Sequence, residues 1–129
     1  MDAPSKGCEF RVDREKRLLT FRLWGLWDEQ ALSTFQEAFR ENLETLGPGP
    51  FRVYVDLSEF PPQRADIGKG AQEMMALATR SGMTKAAHLV GKAMTELQIK
   101  RLAAEVNAPE FRFFKTEKEA LNWLTPSDS

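Results

Sequence analysis

Phe51-Arg52-Val53-Tyr54-Val55-Asp56-Leu57 is the stretch on which the fold turns. Phe51, Val53, Val55 and Leu57 fill one face of a period-two pattern, and Tyr54 puts apolar bulk on the other. A strand this rich in β-branched and aromatic residues, apolar on both faces, belongs inside a sheet covered on both sides. Just before it, Gly47-Pro48-Gly49-Pro50 is a helix stop. The helix it ends is the clearest in the chain: Leu32, Phe35, Phe39, Leu43 and Leu46 recur at three- and four-residue spacing behind an Asp28 N-cap.

Further upstream, Cys8, Phe10 and Val12 alternate with Glu9, Arg11 and Asp13, and Leu19, Phe21 and Leu23 alternate with Thr20 and Arg22. A polar connection, Asp13-Arg14-Glu15-Lys16-Arg17, joins them into an antiparallel hairpin. Downstream, Ser58 to Ala65 is a loop broken by Pro61-Pro62, and Asp66 caps a helix to about Arg80 with Ile67, Ala71, Met74, Leu77 and Ala78 inward. Ala86-Ala87-His88-Leu89-Val90 is a third covered strand, and Thr95 caps a helix to about Asn107. Phe111 to Phe114 is a short strand, and Thr116-x-x-Glu119 is a capping box that opens a last helix through Leu124. The expected fold class is therefore α/β: one mixed five-stranded sheet, an N-terminal β-hairpin followed by βα repeats, in the order β-β-α-β-α-β-α-β-α. One domain spans residues 8–124, and residues 1–7 and 125–129 are expected to be flexible tails.

Composition narrows the function. The 129 residues carry 18 Lys plus Arg against 19 Asp plus Glu, so no basic excess points to nucleic acid. One cysteine, Cys8, leaves no intrachain disulfide and no thiolate zinc cluster, and one histidine, His88, leaves no His-rich metal site. No apolar run reaches membrane-spanning length and no secretory h-region opens the chain, so the expectation is a cytoplasmic protein without a cofactor.

Two stretches resemble a known family. Val53-Tyr54-Val55-Asp56-Leu57-Ser58-Glu59-Phe60 is similar to the strand and Asp-Leu-Ser segment of STAS-like domains, the domains of the anti-sigma-factor antagonists. Phe111-Arg112-Phe113-Phe114-Lys115-Thr116-Glu117-Lys118-Glu119-Ala120-Leu121-Asn122-Trp123-Leu124 is similar to the last strand and helix of the small bacterial SpoIIAA-like proteins. The resemblance implies a STAS-like fold and a role in bacterial regulation. It also implies a phosphoacceptor serine at the start of the helix after the Asp-Leu-Ser strand. Here that place reads Asp66-Ile67-Gly68-Lys69-Gly70, with no hydroxyl, so the phospho-switch does not carry over.

Several groups could carry chemistry, each with a plainer alternative. Asp56, Ser58, Arg64, Asp66 and Lys69 gather at the carboxyl end of a central strand, where open α/β sheets bind ligands; the alternative is that they satisfy loop amides and cap a helix. Gly68-Lys69-Gly70 could cradle an anion at a helix N-terminus or simply fray there. Trp24 and Trp27 leave one strand and Phe60-Pro61-Pro62 leaves the next; parallel strands would bring them to one rim as an exposed apolar patch. Alternatively, Trp24 packs across the hairpin and Trp27 staples the start of the helix. Arg11, Arg14, Lys16 and Arg17 read as a solvated turn, and the helix from Asp28 to Leu46 carries an acidic outer face. His88 is expected inside the sheet, and Cys8 as an inert thiol.

The leading expectation is a non-enzymatic protein–protein interaction module whose partner is another protein or a second copy of the chain. The second is a carrier of a small apolar, lipid-like ligand held between the sheet and the helix at 66–80, where Met74 and Leu77 point inward. An enzyme using Asp56, Asp66 and His88 ranks third, because no spacing among them enforces an acid–base pair.

Overall fold

The computed structural model describes residues 5–125. Strands β1 (Gly7–Asp13), β2 (Leu18–Trp24), β3 (Phe51–Glu59), β4 (Met83–Val90) and β5 (Glu110–Phe114) alternate with helices α1 (Glu29–Leu46), α2 (Ala65–Ser81), α3 (Ala93–Glu105) and α4 (Glu117–Leu124). The strands form one sheet in serial order, β1-β2-β3-β4-β5. β1 pairs antiparallel with β2, and each later pair is parallel. The fold class is as the sequence indicates.

Serial order decides the layers. Every crossover from β2 to β5 steps in the same direction, and right-handed crossovers then place α1, α2 and α3 on one face. α4, which follows the last strand, folds back over the other. The large core lies on the three-helix side, where Leu19, Phe21, Val53, Val55 and Val90 meet Phe35, Phe39, Ile67, Met74 and Ile99. A smaller core, Leu18, Tyr54, Ala87, Ala120 and Leu124, lies under α4. Tyr54 on one side of β3 and Val53 and Val55 on the other thus account for a central strand covered twice.

Local signals place the ends. The Asp28 carboxylate accepts from the Ala31 amide at 2.9 Å, as a helix N-cap should. Thr116 Oγ1 accepts from the Glu119 amide at 3.3 Å and donates to the Glu119 carboxylate at 2.9 Å. α1 ends at Gly47, whose φ of 79° suits glycine. Its last carbonyls are gathered by Arg17. That guanidinium lies within hydrogen-bond distance of the Leu46, Gly47, Pro48, Gly49 and Pro50 oxygens. The turn at 13–17 is therefore no mere solvated cluster: Arg17, at φ 54°, ties the hairpin to the end of α1. Arg52 extends the tie by donating to the carbonyls of Lys16 and Leu124.

Several boundaries differ from the sequence expectation. β1 begins at Gly7, and Lys6 pairs with Asp28 at 3.3 Å, so part of the expected tail belongs to the fold. Thr125 closes α4, its amide bonding to the Leu121 carbonyl at 2.8 Å. The rest of the expected tails, 1–4 and 126–129, lie outside the described residues. β3 runs two residues further, to Glu59. Asp66 does not cap α2: Arg64 holds that position without a side-chain cap, and Asp66 sits in the first turn bound to Arg64 at 2.9 Å. Thr95 does not cap α3 either. α3 starts after Lys92, and Thr95 is buried in its first turn, donating to the Phe60 carbonyl at 2.8 Å. Among the described residues no helix is long and apolar enough to cross a membrane.

Candidate functional site

The β2–α1, β3–α2 and β4–α3 connections emerge at one rim of the sheet, as parallel pairing requires. Two glutamines lock them together. Gln63 accepts from the Trp27 amide at 2.8 Å and donates to the Gly25 carbonyl at 3.1 Å. Gln98 of α3 accepts from the Gln63 amide and donates to the Gln63 carbonyl, both at 2.9 Å. The rim is thus a stiff platform rather than three independent loops.

The aromatic patch expected on that rim is not exposed. Trp27 is 2 % exposed and Phe60 5 %. Their rings meet edge to face at 5.1 Å, Trp27 also lies 5.1 Å from Phe35, and its indole N–H donates to the Trp24 carbonyl at 3.0 Å. Trp27 precedes the α1 N-cap, so its ring staples the start of that helix onto the core. Trp24 points to the α4 side of the sheet, half-exposed. A Cβ at Gly7 would come within 2.8 Å of its ring, and the Arg22 guanidinium stands 4.9 Å over it. The two tryptophans therefore sit on opposite faces. The rim is apolar through other residues: Leu26 is 62 % exposed, Met94 63 % and Leu97 41 %. Leu26 precedes Trp27 and Met94 precedes Thr95, and both Trp27 and Thr95 touch Phe60, so the two exposed side chains flank one loop. Leu26 lies between Gly25 and Trp27, and it is the Trp27 ring that turns into the core.

The polar candidates divide. Asp56 accepts from both the amide and the hydroxyl of Ser58, at 2.9 and 2.7 Å, a local turn at the end of β3. Arg64 and Asp66 form an exposed bidentate pair. That hydrogen bond holds the Asp66 carboxyl below the usual range and raises the Arg64 guanidinium. Lys69 is exposed on α2. Asp56 and Ser58 thus bond to each other, and Arg64 and Asp66 to each other. Gly68 and Gly70 are neither frayed nor an anion cradle but packing positions. A Cβ at Gly68 would lie 3.3 Å from Gln98, and one at Gly70 2.3 Å from Leu32, so the glycines let α2 approach α3 and α1. Ser58 is exposed, while the first turn of α2, Ala65 to Gly68, has no hydroxyl.

His88 is buried on the three-helix face, stacked on Phe113 at 5.2 Å with Phe111 edge-on at 6.3 Å. Burial pushes its imidazole down to about 4, only partly countered by a backbone bond to Arg112, so it is neutral near pH 7. His88 also lines an apolar cavity of about 80 Å³ between the sheet and α2, with Met74, Met75, Ala71 and Ala78 on its helical wall. Burial raises the half-buried Cys8 thiol, which makes it a poor nucleophile.

The molecule is a small α/β/α sandwich with its strands in serial order, a glutamine-locked rim and a hydroxyl-free start to α2. The chain belongs to the SpoIIAA-like family, whose model matches residues 18–125. Its fold is similar to an uncharacterised protein of SpoIIAA-like fold from Shewanella loihica, at TM-score 0.73, 15 % identity and coverage of 96 % of this chain and 98 % of that one. It is also similar to an anti-sigma factor antagonist from Mycobacterium paratuberculosis, at TM-score 0.58 and 14 % identity, with coverage of 96 % and 98 %. No curated protein sequence matches.

Proposed function

We propose that this chain is a non-catalytic interaction domain of bacterial cytoplasmic regulation that docks a protein partner on the rim at the carboxyl ends of β2, β3 and β4. The observation that carries the reading is the exposure of Leu26 and Met94 on either side of Phe60, on a platform held rigid by Gln63 and Gln98. Exposed apolar side chains on a preorganised frame lose little entropy on binding. The charged residues around them, Asp28, Arg64 and Asp66, are already engaged in local pairs and form a polar border. The family relationship supports a regulatory interaction role. The hydroxyl-free start of α2 supports docking that is not gated by phosphorylation there. The use of Asp56, Asp66 and His88 in local or buried contacts supports a role without catalysis.

The test is capture of partners on the immobilised chain beside a Leu26→Asp/Met94→Asp variant of unchanged circular dichroism. The rim reading expects a partner bound by the parent and lost with the variant; equal recovery on both overturns it.

One observation favours a second reading, binding of a small apolar ligand: the cavity beside Met74 and His88. At about 80 Å³ it is roughly half the ~150 Å³ of an engineered cavity that admits benzene, so a lipid-like guest would need α2 to lift away. Native mass spectrometry showing the bare mass rejects this reading.

A further inference from the structure

The two edges of the sheet are unlike. β5 is five residues long, follows Pro109 and the left-handed Asn107, and so offers a short, interrupted ladder. β1 is seven residues long, has no proline, and pairs with β2 in unbroken register from Gly7 to Asp13. Among the described residues no strand pairs with its outer side. Sheets that stay monomeric usually blunt such an edge with charges, a bulge or a proline; β1 has no bulge or proline, and its exposed charges, Glu9 and Arg11, are of opposite sign.

The side chains of β1 are self-complementary. Glu9 and Arg11 are exposed on the α4 side of the sheet, which α4 does not cover this far out. Cys8, Phe10 and Val12 are half-buried on the three-helix side, and Phe10 already packs against Phe21 at 5.0 Å. A second β1 running antiparallel about a two-fold axis at Phe10 sets Glu9 opposite the partner's Arg11, Arg11 opposite the partner's Glu9, and Cys8 opposite the partner's Val12. Moving the axis one residue toward the N-terminus opposes Glu9 to itself; moving it one residue the other way opposes Arg11 to itself, and like charges directly across a ladder are unfavourable. Half-residue shifts put the apolar face of one copy beside the polar face of the other. An axis at Val12 would set Arg11 opposite Asp13 but pair only three residues of β1, whereas the register centred on Phe10 pairs all seven and satisfies both charge and face. On β5, setting Phe111 against Phe113 would oppose Arg112 to itself.

We propose that the protein forms a two-fold homodimer through antiparallel β1–β1 pairing centred on Phe10, which joins two sheets into one of ten strands with all three-helix layers on the same side. This surface is separate from the rim, so the dimer stands or falls independently of the partner reading.

Sedimentation equilibrium of the full chain over the micromolar range tests it, with circular dichroism confirming that each variant is folded. The parent is expected at twice 14.7 kDa. Glu9→Arg and Arg11→Glu each turn two attractive pairs into repulsive ones and are expected to weaken dimerisation about tenfold or more. The double variant Glu9→Arg/Arg11→Glu restores the pairing and the mass. A Val12→Cys variant reads the register: mild oxidation should join Cys8 of one copy to position 12 of the other. Within one copy those positions are four residues apart on a strand, about 13 Å, too far to bridge. A monomeric parent, a double variant that stays as weak as the single ones, or a cross-link joining two copies of position 12 overturns the proposal.

Discussion

Acidification should unfold this protein through one residue. His88 is the only histidine in the chain, sealed between Phe113 and the apolar cavity. Burial lowers its pKa from an ordinary 6.5 to about 4. Above pH 6.5 the imidazole is neutral in both states and its environment costs nothing in protons. Between 6.5 and 4 the unfolded chain binds a proton that the native state refuses, so acid favours unfolding; stability is full at neutral pH and is lost as pH falls through this window. A 2.5-unit difference between those two values corresponds to about 3 kcal/mol in total, with about 2 kcal/mol of it gone by pH 5. Urea denaturation at pH 7, 6, 5 and 4 measures the loss, and the single imidazole resonance followed by NMR gives the native pKa directly. His88→Met supplies the control. It removes a buried Nδ1 that has no partner together with the bond to the Arg112 backbone, so stability at pH 7 should change by no more than about 1 kcal/mol, and the decline between pH 6.5 and 4.5 should flatten. An imidazole that titrates near 6.5 in the folded protein, or a variant that loses stability as steeply as the parent, refutes the reasoning.

Other consequences can be measured in the same way. Trp27→Ala empties a fully buried site between Phe35 and Phe60 and should cost about 3–5 kcal/mol in urea; a loss under about 1 kcal/mol would show that the rim can collapse onto the space. Arg17→Lys keeps the charge but cannot span five carbonyls, so about 1–3 kcal/mol should be lost, and hydrogen exchange should rise first at the carboxyl end of α1. Tyr54→Phe removes a buried hydroxyl with no partner, so stability should stay level or rise by about 1 kcal/mol. A clear fall would mean that the phenol, which burial raises above its ordinary pKa with help from Asp56 and Glu117, has a bond worth keeping.

The fold was legible because its signals are local and repeat. Val53-Tyr54-Val55 announced a strand covered twice, Asp28 and Thr116 announced helix starts, and Gly47 a helix end; all four are interactions within a turn or along one strand. Signals that needed a distant partner were misread. Thr95 looks like a cap in isolation, but the Phe60 carbonyl claims it; Asp66 failed for a local reason, because α2 starts one residue before it, at Ala65, and Arg64 binds the carboxylate. Gly68 and Gly70 resemble an anion loop until Gln98 and Leu32 are seen against them. The rim went astray for the same reason. Trp27 and Phe60 are apolar and sit in loops, yet they bury each other, while Leu26 and Met94 hold the solvent side. Which aromatic side chain in a loop turns inward depends on what the next crossover brings to it, and spacing along the chain does not record that.

The serial order of the strands has a temporal side. Each strand after the first lies beside the one made just before it. A chain leaving the ribosome can therefore add one strand and one helix at a time to a finished edge, never waiting for a distant segment to arrive. β1 and β2 zip first, and β3 then docks on β2. Synthesis moves the growing front away from β1, and the outer side of that first strand stays open from the hairpin onward.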